Sequence, residues 1–276
     1  MIGQEKLQEW ITHINIEESR KNILLLGERG CGKRYTATII SQKLNLELID
    51  ITQSVLDSDI KTVLEEILLK ENQVIYLIDF DKLANINQNV LLKTLEENHN
   101  KAYFILIASN PDIILPTIRG RCFCYEFAPY SLSDLQAFGE AKGIPNINTL
   151  VKYCHTPGQL ETTKSCNFDE LQSLCEKIID KIDLACPSNV LSITSKLNFK
   201  DDFTKFDFSL FLQVLYETIC NRIRKETNML EIEKLMMFAS LVNNSINAIQ
   251  KANTDKKLVV EMTLCYMWMV SKDETD

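Results

Sequence analysis

Between the apolar run Asn22-Ile23-Leu24-Leu25-Leu26 and a helix-favouring stretch that starts at Lys33 stands Gly27-Glu28-Arg29-Gly30-Cys31-Gly32-Lys33. No other stretch limits the fold so tightly. Glycines at these spacings let consecutive backbone N–H groups turn toward a chain of phosphates, the helix that follows adds the positive end of its dipole, and a lysine reaches the outer phosphates. Strand, loop and helix in that order predict a P-loop, the nucleotide-phosphate cradle of parallel α/β sheets. A glycine-rich connection with no ligand is the plainer alternative, and the strand-to-helix context weighs against it.

Two further apolar runs, at 74–79 and 102–109, lack polar alternation, as parallel strands covered by helices on both faces do. Helix-length segments at 33–44, 57–71 and 86–98 separate the runs. A short strand at 46–51 and a last one at 122–127 fit the same sheet, and Pro129 closes it. Residues 1–129 therefore read as an α/β parallel-sheet domain. Beyond Pro129 helix is favoured throughout. Ser131 and Ser133 suit N-caps, Gly143 a C-cap and Pro157 a first helical turn, so 130–166 read as a small helical domain. Segments at 168–185, 206–226 and 230–252 continue in helix. In the last two, apolar residues return every three or four positions as in packed bundles, and after a connection at 251–257 a final helix covers 258–270. Residues 167–276 read as an all-α domain.

A chain of 276 residues and 31.7 kDa is more than one compact unit usually holds. With 30 Lys plus Arg against 38 Asp plus Glu, the net charge of -8 excludes a general basic field for nucleic acid. The basic cluster Arg222, Arg224, Lys225 reads as a solvated helix face. Trp268, between Met267 and Met269, is at least as readily ordinary core as an interface anchor. The 9 cysteines fall at irregular spacing, which fits reduced thiols and predicts a cytoplasmic protein. The charged amino terminus predicts no secretory signal, and no apolar run is long enough to span a membrane. His13, His99 and His155 have no companions at metal-ligand spacing, and Cys122 with Cys124 supplies only two thiols, read as small buried strand residues. No metal site is predicted.

The P-loop is damaged where chemistry would begin. After Lys33 a Ser or Thr hydroxyl normally ligates magnesium, and here stands Arg34, which has no lone pair to give. Thr36 is rotated about 200° further round the helix and is no substitute. Asp79 ends its strand as a metal-binding carboxylate would, but Phe80 follows where a water-orienting Glu belongs. Asp81 faces the same way only if the strand continues.

These residues resemble clamp-loader subunits of the AAA+ superfamily, of the delta-prime type in bacterial DNA polymerase III. Ile2-Gly3-Gln4 is similar to the family's N-terminal box. Leu91-Leu92-Lys93-Thr94-Leu95-Glu96-Glu97 is similar to its helix after the Walker B strand, and Leu115-Pro116-Thr117-Ile118-Arg119-Gly120-Arg121-Cys122 to its Ser-Arg-Cys segment, with Gly120 replacing the Ser. The resemblance implies an AAA+ core over 1–129, a lid over 130–166 and a collar over 167–276 that joins five subunits. It implies a non-hydrolysing member of a DNA-replication hetero-oligomer, partnered by ATPase subunits and the clamp-opening subunit, and through the complex by the sliding clamp and primed DNA. Arg121 aligns with an arginine finger offered to ATP on a neighbour. Gly27, Gly30, Gly32, Lys33, Asp79 and Asn110 would form a vestigial or weak nucleotide site that requires no cofactor, with ATP or ADP as its candidate ligands. Ser109-Asn110 aligns with the sensor-1 turn, and an ordinary strand-ending turn fits these residues equally well. Thr156-Pro157-Gly158-Gln159-Leu160 falls at the sensor-2 segment and lacks its Arg. Family members often carry a four-cysteine zinc module, whereas residues 34–121 contain no Cys. An active ATPase using Asp81, or a subunit that holds nucleotide uncut, are the alternatives.

Overall fold

The apolar runs pair side by side, and the structure, a computed structural model, describes residues 3–14, 22–69, 72–96, 102–165, 167–182, 208–249 and 255–273. Five parallel strands form one sheet: β1 (Asn22–Leu26), β2 (Glu47–Asp50), β3 (Val74–Asp79), β4 (Ala102–Ala108) and β5 (Phe123–Glu126), in the order β2-β3-β4-β1-β5. In register, Asn22 lies opposite Phe104, Leu26 opposite Ala108, and Ile23 opposite Phe123. β1 and β4 are buried along their whole length, and β3 up to Asp79, whereas both edge strands are partly exposed. That contrast explains why the central strands carry no polar alternation.

Alternate residues serve opposite faces of the sheet. Ile23, Leu25, Ile75, Leu77, Ile105 and Ile107 share a core with α1 (Glu5–His13) and α2 (Lys33–Leu44). Leu24, Leu26, Tyr76, Ile78, Phe104 and Leu106 pack with α3 (Thr52–Asp57), α4 (Ile60–Leu68), α5 (Asn85–Glu96) and the short α6 (Pro116–Arg119). Burying each such side chain contributes about 1.5–3 kcal/mol. The amphipathic α1 turns Leu7 and Ile11 inward, and Trp10 stacks on Phe123 with ring centroids 4.6 Å apart.

The expectation of one helix over 57–71 is corrected: the segment breaks at Ser58, which is extended, and Asp59 caps a new helix by accepting from Lys61 N. A short polar side chain that bonds its own backbone competes with helix continuation. A helix over 52–57 goes unmarked in the sequence reading. So does α1.

The chain divides into two compact units, one of 1–138 with 155–158 and one of 139–154 with 159–276. The boundary falls inside α7 (Leu132–Lys142), whose first turn is closed by a reciprocal pair: Asp134 N donates to Ser131 Oγ and Ser131 N to Asp134 Oδ2, each at 3.1 Å. Ser131 is thus the cap, and Ser133 lies within the helix. Gly143 ends it at φ 64°. Next come α8 (Ile147–Leu150) and α9 (Pro157–Thr162), with Pro157 in the first turn. α10 (Phe168–Lys181), α11 (Phe208–Ile223), α12 (Met229–Ile249) and α13 (Lys256–Asp273) complete an all-helical second unit among the described residues. Phe211, Leu215, Leu235, Phe238, Val242, Leu264 and Met267 are buried there. The expected connection at 251–257 is shortened, because Asp255 caps α13 by accepting from Lys257 N and Leu258 N. Ile2, Glu97, His99, Cys166, Cys186 and residues 251–254 lie outside the described residues, as does the residue-166 boundary.

Candidate phosphate site

The loop after β1 has the conformation its glycines predict. Gly30 and Gly32 sit at φ 88° and 103°, in the left-handed region that side-chain-bearing residues avoid, and Gly32 leads directly into α2. Every carbonyl from Gly27 to Gly32 accepts a hydrogen bond from within the protein. Lys33 Nζ donates to Gly27 O and, at 3.1 Å, to Glu28 O. Thr156 Oγ1 donates to Arg29 O at 3.1 Å, Gly158 N to Gly30 O at 2.9 Å, Tyr130 Oη to Cys31 O at 2.7 Å, and Thr36 N to Gly32 O at 2.8 Å. These bonds fix the loop's carbonyls, and the Cys31 N–H donates back to Glu28 O at 3.2 Å. Burial pushes the Tyr130 phenol up to about 12, so it donates across the physiological range. Cys31 is buried inside the loop, and burial raises its thiol further.

Beyond the cradle the groups diverge from metal chemistry. Arg34 pairs with Asp50 at the end of β2, and its other terminal nitrogen reaches Asp79 Oδ2 at 3.1 Å. The second oxygen of Asp79 accepts from Asp81 N at 3.2 Å, and that of Asp50 from Thr52 N at 3.0 Å. Burial lowers and pairing raises the Arg34 value, and the pairing, first with Asp50 and then with Asp79, prevails. Burial would raise Asp50, yet the hydrogen bonds from Thr52 and then the Arg34 charge hold it below the ordinary carboxylate value. The carboxylate proposed to hold a metal, Asp79, is therefore engaged by a side chain of the same chain. Thr36 is fully buried.

The idea that Asp81 faces the same way as Asp79 is corrected. β3 stops at Asp79 and a single 3-10 turn, Phe80–Lys82, follows, so Asp81 turns aside and accepts from Ser109 N at 2.7 Å. Phe80 is 1% exposed and belongs to the core. Asn110 uses its amide oxygen to accept from Asp112 N at 2.9 Å, the local bonding of a strand-ending turn.

Arg121 lies just before β5. It donates to Thr117 O at 2.7 Å and pairs with Glu96 at the end of α5. At 155–158, the segment lacking the sensor-2 Arg, the chain presses backbone against backbone: a Cβ on Gly158 would lie 2.7 Å from Gly30 Cα. Cys122 is buried but Cys124 is exposed, which corrects the reading of both as buried strand residues. In the second unit Arg222 pairs with Asp180, and Arg224 donates to Asn221 Oδ1 at 2.8 Å. Trp268 is half-buried between buried Met267 and exposed Met269. Among the described residues no cluster of three or more His, Cys, Asp or Glu gathers as metal ligands do, and no helix is long and apolar enough to cross a membrane.

Sequence reasoning gave no role to Asp50 or Thr52, and quoted Glu96 only as part of a helix, without its pairing to Arg121. The one available signal for Asp50 was its place at the C-terminal end of a predicted parallel strand, where ligands of such sheets collect.

A glycine-rich loop leading from a parallel strand into a helix, in a chain whose second unit is helical among the described residues, defines an α/β protein of the P-loop type. The family described as "DNA polymerase III, delta subunit" matches residues 51–131. DNA polymerase III subunit delta' of Buchnera aphidicola is 28% identical over 208 residues, covering 71% of this chain and 62% of that protein. The Replication factor C small subunit of Methanococcus maripaludis is 26% identical over 149 residues, 49% of this chain and 47% of that protein. A solved DNA polymerase III gamma subunit-related protein from Thermotoga maritima covers 96% of this chain and 99% of its own at 16% identity and TM-score 0.48. The chain is thus similar to clamp-loader subunits, in particular to delta-prime subunits of DNA polymerase III. It matches less than two thirds of the length of these curated relatives.

Proposed function

We propose that the chain is a non-hydrolysing subunit of a clamp loader, which joins ATPase neighbours and the clamp-opening subunit and offers Arg121 to ATP bound across an interface. One observation carries the reading: Arg34 stands at the magnesium position and holds Asp79, while Phe80 fills the place of the water-orienting acid. Without a metal ligand set and without a base, the cradle has no means of activating water. Arg121 is partly exposed, donating to Thr117 O and pairing with Glu96 at the surface, so a stronger anion on a neighbour would draw it away. Residues 1–129 act as the AAA+ core, 130–166 as a lid and 167–276 as a collar. The sliding clamp and primed DNA are met through the assembled complex in the cytoplasm.

The test is ATP turnover measured twice. The purified chain alone is expected to release no phosphate above background. In the loader reconstituted with its ATPase subunits, Arg121→Ala is expected to lower clamp- and DNA-stimulated turnover by about 10³-fold at the sites it serves. Normal turnover in that complex would refute the finger role, and magnesium-dependent turnover by the lone chain that disappears in Lys33→Ala would instead support an active ATPase.

A further inference from the structure

In a P-loop the magnesium ion sits between a hydroxyl on the first turn of the helix and the carboxylate that ends a neighbouring strand. The residues of this chain do not fit that ion. Arg34 occupies the hydroxyl's position, and its guanidinium bridges Asp50 and Asp79, the acids that end the adjacent strands β2 and β3. Thr52 N and Asp81 N occupy the remaining oxygen of each carboxylate. Magnesium demands near-octahedral oxygen ligands and dehydrates reluctantly, whereas a guanidinium is permanently charged and matches carboxylates with its planar fork. The carboxylates that a metal would need are already taken up by a cation of the chain itself.

We infer that Arg34 is a built-in counter-cation that closes the Asp50–Asp79 pair to divalent metal, so that a phosphate chain entering the loop meets Lys33 and Arg34 without magnesium. Lys33 approaches from the loop and Arg34 from the carboxylates, and neither depends on a metal for its charge. Loss of hydrolysis alone would follow from the missing water-orienting acid; exclusion of the metal is a separate property with its own readout.

The experiment titrates Mn²⁺ into the full-length chain and follows the free ion by electron paramagnetic resonance, with and without ATP. The unaltered protein is expected to take up no Mn²⁺ beyond what ATP itself binds. Arg34→Ser, which frees both acids and restores a hydroxyl, is expected to tighten Mn²⁺ binding by about tenfold or more. Arg34→Gln, close in length and neutral, is run beside it, with circular dichroism on both, and decides the matter if the serine variant does not fold. Affinity of the unaltered protein for a fluorescent ATP analogue is expected to agree within about twofold in Mg²⁺ and in EDTA. Equal Mn²⁺ uptake by all three proteins, no gain in either variant, or Mg²⁺-enhanced nucleotide binding by the unaltered chain would each overturn the inference. Because no partner subunit is present, the outcome is independent of whether the chain assembles into a loader.

Discussion

At Arg34 the energetics and the role point in different directions. Its side chain is 46% exposed and that of Asp50 40%, so solvent and salt screen the pair. Arg34→Ala is therefore expected to cost less than about 1 kcal/mol in urea unfolding, even though it removes the cation from the site. The sharper signature is in pH. Asp50 is held below its ordinary value in the folded state, so its stabilising share is complete above the unfolded value, about 3.9, and fades as pH falls through the lower folded one. Arg34→Ala is expected to move the Asp50 titration, followed by carboxyl carbon NMR, part of the way back up. The Thr52 hydrogen bonds remain and keep the shift partial. An unchanged Asp50 titration would mean that the pairing does not persist in solution.

Elements meet the loop by backbone as much as by side chain. The turn into α9 reaches Gly30 so closely that Gly158 has no room for a Cβ, which would also stand 2.9 Å from Gly30 O. Gly158→Ala is expected to force these backbones apart at a cost of about 1–3 kcal/mol, measured by urea denaturation. A neutral result would show that the segment yields without loss. The strand-to-helix order, the closing of α7 by Ser131 and the punctuation at Gly143 were legible because each rests on residues within a few positions of one another. The break at Ser58 was not. Apolar periodicity across 57–71 masks it, and only the bonding of Asp59 to its own backbone divides the segment.

Across the whole molecule, the second unit leaves Leu258, Met262, Tyr266 and Met269 exposed on α13, spaced to lie along one helical stripe. α12 adds exposed Met236 and Met237. In the proposed collar these residues would contact neighbouring subunits. Tyr266→Lys is expected to leave the melting temperature of the lone chain nearly unchanged, since the side chain is 47% exposed, and to reduce recovery with tagged partner subunits by about tenfold. Equal recovery would remove the stripe from the interface.

Sequence alone determined the parallel sheet, the glycine-rich strand-to-helix loop and the helical second half, because uninterrupted apolar runs, glycine spacing and helical periodicity are local patterns whose physics acts over a few residues. It also exposed the replacement of the magnesium hydroxyl by Arg34. Only the tertiary structure decided what that arginine does, by bringing it to Asp50 and Asp79, 16 and 45 residues away, and by setting Thr156 against Arg29 across 127. Such pairings are selected by strand order and turn geometry, which place residues that no short pattern in the chain connects.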